Sequence, residues 1–80
     1  MSKIVKRQVL VRTRGDLPQR ILFRREWMVV ERILEHWRET GRWWENETER
    51  DFFLIQTVEG GFLLYRENST DRWVLYKALD

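Results

Sequence analysis

Arginine stands beside or near aromatic rings at four places in the chain: Trp37-Arg38, Gly41-Arg42-Trp43-Trp44, Tyr65-Arg66 and Arg72-Trp73. These two groups together do what single-stranded nucleic acid requires, because flat π faces stack bases and guanidinium groups pair phosphates. The same residues also suit a small core in which rings pack inside and arginine stems lie over them. Trp27 and Trp73 fit the core reading better. Trp43 and Trp44 fit both, since neighbours in an extended segment point to opposite sides and at least one is hard to bury. Arg12, Arg20, Arg24, Arg38, Arg42, Trp43 and Trp44 are therefore the candidate residues for a nucleic-acid or partner surface.

Other chemistry finds little support. Glu45, Glu47, Glu49 and Asp51 alternate, so two or three carboxylates could share a face and hold a cation loosely. The glycine pattern of a calcium loop is missing, and a solvated acidic loop accounts for them as well. His36 is the sole histidine and there is no cysteine, so neither a metal site of the usual ligands nor a nucleophile triad can be assembled. Gly60-Gly61 reads as a hairpin turn, not as a phosphate cradle. The chain reads as non-enzymatic, with no cofactor and no metal implied.

The elements that must position these residues read as strands. Val9 and Val11 alternate with polar or outward neighbours, Arg14-Gly15-Asp16-Leu17-Pro18 supplies turn chemistry, and a second strand runs from Arg20 to Arg24. Ile21 and Phe23 then face inward, which places Arg12, Arg20 and Arg24 on a basic outer face. The stretch from Trp27 to Trp37 matches both a helical stripe and a strand. Its Trp, Val and Ile content and its lack of an N-cap favour a strand through Ile33, with a helix over 27–38 as the alternative. Glu39 to Asp51 reads as a long connection. Phe52 to Val58 and Phe62 to Glu67 flank Glu59-Gly60-Gly61, a hairpin signal, and a last strand runs from Arg72 to Leu79. Six strands joined mainly by short turns predict an all-β antiparallel meander that curls into a small barrel or half-barrel. Its expected core comprises Val9, Val11, Ile21, Phe23, Val30, Leu34, Phe53, Ile55, Leu64, Trp73 and Leu75.

Eighty residues support one core, hence a single domain over 1–80. Without disulfides, five Trp and four Phe must supply the stabilisation that a chain of this size otherwise takes from staples. The lack of cysteine fits a reducing, cytoplasmic compartment, and no run is long and apolar enough for a signal peptide or a membrane span. Net charge is +2, but it is unevenly placed. Met1 to Arg25 holds eight Lys and Arg against Asp16 alone, while the remainder has seven basic and twelve acidic residues. Such a basic first third attracts a polyanion locally, or the acidic remainder of the same chain.

Three segments carry a resemblance: Leu22 through Trp37, Gly41-Arg42-Trp43-Trp44-Glu45, and Arg72-Trp73-Val74-Leu75-Tyr76 with a terminal Asp80. The most specific parts are the Arg-Trp-Trp run, the Leu64-Tyr65-Arg66 strand and the Arg-Trp ending. This pattern resembles a family of small uncharacterised bacterial domains. They occur alone and, in related form, at the C-terminal end of Y-family-polymerase-like proteins of the mutagenesis cassette. The resemblance implies a link to DNA repair or translesion synthesis, with no catalytic or binding residues to carry over. The chain departs from the pattern at Arg25-Glu26, where relatives usually carry a glycine in the hairpin turn. The expected partners are thus single-stranded DNA or a repair-polymerase-associated protein, with no membrane involved.

Overall fold

Apolar and alternating segments separated by tight turns become seven strands in the computed structural model, which describes residues 3–40 and 49–79. They are β1 (Lys3–Arg14), β2 (Leu17–Phe23), β3 (Glu26–Val29), β4 (Arg32–Glu39), β5 (Arg50–Thr57), β6 (Gly60–Glu67) and β7 (Arg72–Leu79). All neighbours are antiparallel, in the order β3-β2-β1-β7-β6-β5-β4. The all-β half-barrel expected from the sequence is the fold, and the helical alternative over 27–38 is replaced by β3, a corner and β4. Seven strands arise where six were expected because the third divides at Val30-Glu31.

That division shapes the molecule. β3 and β4 follow each other in the chain yet lie on opposite edges of the sheet. At the corner between them, the Val30 N–H donates to the Gln19 carbonyl and the Glu31 N–H to the Gln56 carbonyl, both at 2.8 Å. The sheet therefore curls until its two edges meet at this corner. β1 belongs to both walls: Lys3 to Val9 pairs with β7, and Leu10 to Arg14 pairs with β2. The sheet forks along β1, leaving the β2–β3 turn and the start of β1 on either side of an opening.

The concave face encloses the core. Ile21, Phe53, Ile55, Leu64 and Leu75 are fully buried, with Val9, Phe23, Met28, Phe62 and Trp73 packed round them. Each such side chain contributes roughly 1.5–3 kcal/mol through area removed from water. Val11 and Val30 cover the cluster only in part. Leu34 corrects the expected core: it is 46% exposed, because a bulge between Ile33 and Glu35 turns it out and gives the inward position to Ile33. On β4, the exposed His36 ring stacks on Phe53 at 4.2 Å.

Two turns depart from the usual choice of residues. β5 and β6 are joined by Val58-Glu59, with Gly60 at φ 121° opening β6, so the glycine pair follows the turn. β2 and β3 are joined by Arg24-Arg25, with φ of 53° and 66°. A two-residue turn with both residues left-handed is ordinarily Asn-Gly. Each arginine there costs about 1–2 kcal/mol relative to the right-handed basin.

Candidate nucleic-acid interface

On strands β5, β6 and β7 the apolar residues run on consecutively: Phe52-Phe53, Leu63-Leu64-Tyr65 and Val74-Leu75-Tyr76. A strand with one solvated face would alternate, so such runs place apolar side chains on both faces. The convex face accordingly carries a second cluster, in which Phe52, Tyr65 and Val74 are buried and Trp37, Leu63 and Tyr76 pack against them. Register lines up Trp37, Phe52, Tyr65 and Val74 across β4, β5, β6 and β7. Trp37 stacks on Phe52 with centroids 5.4 Å apart and planes within 4°, Phe52 meets Tyr65 at 5.3 Å, and Tyr65 meets Tyr76 edge-on at 6.1 Å. This forms a continuous aromatic ledge.

Two irregularities converge at its end. Between Ile4 and Arg7, β1 slips against β7, with Lys6 at φ 48°. Between Leu63 and Leu64, β7 slips against β6, so Tyr76 is the unpaired residue. Bulges re-aim side chains, and this pair gathers Lys6, Tyr76 and Lys77 at one spot. With Trp37, Phe52, Leu63, Tyr65, Glu39 and Arg50 they line a depression of about 430 Å³. The Arg50 guanidinium lies 4.9 Å from the Tyr65 centroid, the Lys77 ammonium 5.5 Å from that of Tyr76, and the Trp37 indole N–H donates to Glu39 Oε2 at 3.0 Å. Burial pushes the Tyr65 hydroxyl above the usual phenol range. Phe52 and Tyr65 are buried and back the ledge, while Trp37 and Tyr76 stay partly exposed, so these two rings with cations at their rim can accept a stacked base and its phosphate.

The residues singled out from sequence separate into four settings. Arg12 and Arg20 are direct cross-strand partners on the convex face of the β1-β2-β3 ribbon. The Arg12 guanidinium lies 5.3 Å from the ring of Trp27, which is 44% exposed and not in the core. Arg24 sits instead at the tip of the β2–β3 turn, 5.1 Å from the Phe23 centroid. Arg38 points to the concave side, where its Nε donates to Asp51 Oδ1 at 2.9 Å. Arg42, Trp43 and Trp44 lie outside the described residues, as do Glu45 and Glu47 of the alternating carboxylates.

Asp51 is the centre of a clamp at one mouth of the half-barrel. It is 3% exposed and accepts from Arg38 and, at 3.1 Å, from Arg66 Nη2. Arg66 also reaches Asn68 Oδ1 at 3.3 Å and lies 5.8 Å from the Trp73 centroid, while its buried Nε has no acceptor. Glu49 adds a second carboxylate 3.7 Å from Arg38. Burial pushes the Asp51 carboxyl up, but the hydrogen bonds and charges of Arg38 and Arg66 outweigh it and hold the group below the usual carboxylate range. Among the described residues, no three His, Cys, Asp or Glu side chains come together as a metal group.

Over residues 2–80 the chain matches the model of the family described as "Domain of unknown function (DUF6504)". The chain belongs to this family. No curated protein and no solved structure matches it. Within this DUF6504 chain, sequence reasoning missed Lys6, Arg50, Phe52, Tyr76 and Lys77 of the ledge. The signal that could have found them is the loss of alternation in β5 to β7.

Proposed function

We propose that the domain is a non-enzymatic accessory module of DNA repair or translesion synthesis that binds single-stranded nucleic acid on the convex face of its sheet. The observation that carries this reading is the ledge of Trp37, Phe52, Tyr65 and Tyr76 with Lys6, Arg50 and Lys77 at its rim. Every base has a π face, so such a ledge binds with little sequence preference, and the cations track the backbone. Arg12 and Arg20 extend the cationic path across the ribbon. The setting in repair follows from the family resemblance in the sequence, and a cysteine-free chain suits the reducing cytoplasm in which such a module would work.

Titrating a labelled oligothymidylate at about 50 and 200 mM salt tests the reading, since phosphate contacts release counterions. Affinity should fall steeply with salt. Replacing Arg12 and Arg20 together by Ala should lower the salt slope by about 1–2, and Tyr76→Ala, Trp43→Ala or Trp44→Ala should each lose about 1–3 kcal/mol with little change in slope. Absence of binding near 50 mM salt overturns it.

One observation favours protein docking as a second reading. Leu10 is 63% exposed, and with Trp27 and Val29 it forms an apolar stretch on the convex face of the ribbon. A repair-polymerase-associated partner seated there would be lost in Trp27→Ala, with weak dependence on salt and no affinity for oligonucleotide.

A further inference from the structure

At the mouth opposite the Asp51 clamp, the fork in the sheet leaves a cavity of about 370 Å³, within the range of small-molecule sites. Its floor is apolar: Phe23 and Phe62 meet edge to face at 6.1 Å, with Val5 and Ala78 beside them. Among the described residues its rim carries Lys3, Arg7 and Arg24 against the one carboxylate of Glu59. Among the described residues none of these three cations makes an ion pair. Both turn arginines stand in the left-handed region, a placement an Asn-Gly turn would have taken without strain. The strained position hangs the Arg24 guanidinium over the floor, 5.1 Å from the Phe23 centroid. Strain held where a side chain reaches a cavity is a mark of function.

We propose that this mouth is a binding site for an aromatic phosphomonoester of the nucleoside monophosphate class. The ring would rest on Phe23 and Phe62, and the phosphate would meet Lys3, Arg7 and Arg24. Among the described residues, three cations opposed by one carboxylate leave two positive charges, which match a phosphomonoester carrying about −1.5 to −2 better than a carboxylate. The site is distinct from the convex ledge, and its failure would leave the reading of that ledge untouched. The same group can arrive as a free nucleotide or as the phosphorylated end of a strand.

Nuclear magnetic resonance titration with adenosine monophosphate tests the site through the backbone amides of Val5, Phe23, Phe62 and Ala78. These should shift, with adenosine and inorganic phosphate each binding at least about tenfold more weakly, since each keeps only half of the contacts. Arg24→Asn should weaken binding about tenfold while raising Tm by about 2–5 °C through relief of the turn. Arg25→Gly should raise Tm similarly and leave affinity unchanged, because Arg25 does not line the cavity. Glu59→Gln should tighten binding about two- to fivefold by removing the opposing charge. A 5′-phosphorylated dinucleotide binding more tightly than the free nucleotide identifies a strand end as the source, and the reverse order identifies the free nucleotide. The proposal is overturned if those amides do not move, if Arg24→Asn binds as tightly as wild type, or if inorganic phosphate alone matches the nucleotide.

Discussion

The two mouths of the half-barrel use the same residue types to opposite ends. At one, Arg66 lies over Trp73 and Arg38 beside it, and both guanidiniums close on the buried Asp51. At the other, Arg24 lies over Phe23 at a similar distance, but the nearest lining carboxylate, Glu59, is exposed and forms no ion pair with it among the described residues. An arginine next to an aromatic ring is therefore not informative by itself. What decides its role is whether the sheet encloses a carboxylate within its reach, as the pairing of Asp51 with both Arg38 and Arg66 does.

The contrast should be plainest in stability. Trp73→Ala removes the floor of the clamp and should cost about 3–5 kcal/mol in denaturant unfolding. A loss below about 1 kcal/mol would mean that the clamp holds itself without its ring. Asp51→Asn should cost about 2–3 kcal/mol, because two charge-assisted hydrogen bonds are weakened and Arg66 remains partly buried. The same residue sets a dependence on acid. Its folded pKa lies below its unfolded one, so its contribution is complete above the unfolded value and is lost as pH falls through the folded value. Wild type should therefore lose stability from about pH 5 downward, while Asp51→Asn shows a flatter profile over that window. At the open mouth, Arg7→Ala and Glu59→Gln should each change stability by less than about 0.5 kcal/mol, as exposed side chains with no ion pair among the described residues do. A large loss in either would erase the distinction between the mouths.

Much of the fold was legible because short-range chemistry determines it. Gly15 at φ 64° turns β1 into β2 as its sequence context predicts, and alternation placed Val9, Ile21 and Phe23 correctly. The corner at Val30-Glu31 was not legible, because its cause is the curvature of the whole sheet and no local residue announces it. The bulge that exposes Leu34 was not legible either. Of the site, Arg12 and Arg20 were placed on one face by period alone. Arg38 is an exposed cation, but its pairing with Asp51 was not legible because the two residues are remote in sequence. Trp37 and Tyr65 were noticed beside arginines, but the ledge they form with Phe52 and Tyr76 went unread since its rings share strands with core residues, and consecutive apolar positions do not reveal which side each one serves.

The seam between β1 and β7 has a kinetic consequence. Every other pairing joins consecutive segments, whereas this one brings together opposite ends of the described chain. Hairpins close in microseconds, while a contact across the whole chain must wait for the entropy of a long loop to be overcome. The β1-β2-β3 and β4-β5-β6-β7 meanders should thus form early, with zipping of β1 onto β7 as the late event. Val9→Ala, opposite Trp73 in the seam, should then act mainly on the unfolding limb of a chevron plot, and Ile55→Val within the β5–β6 hairpin mainly on the folding limb.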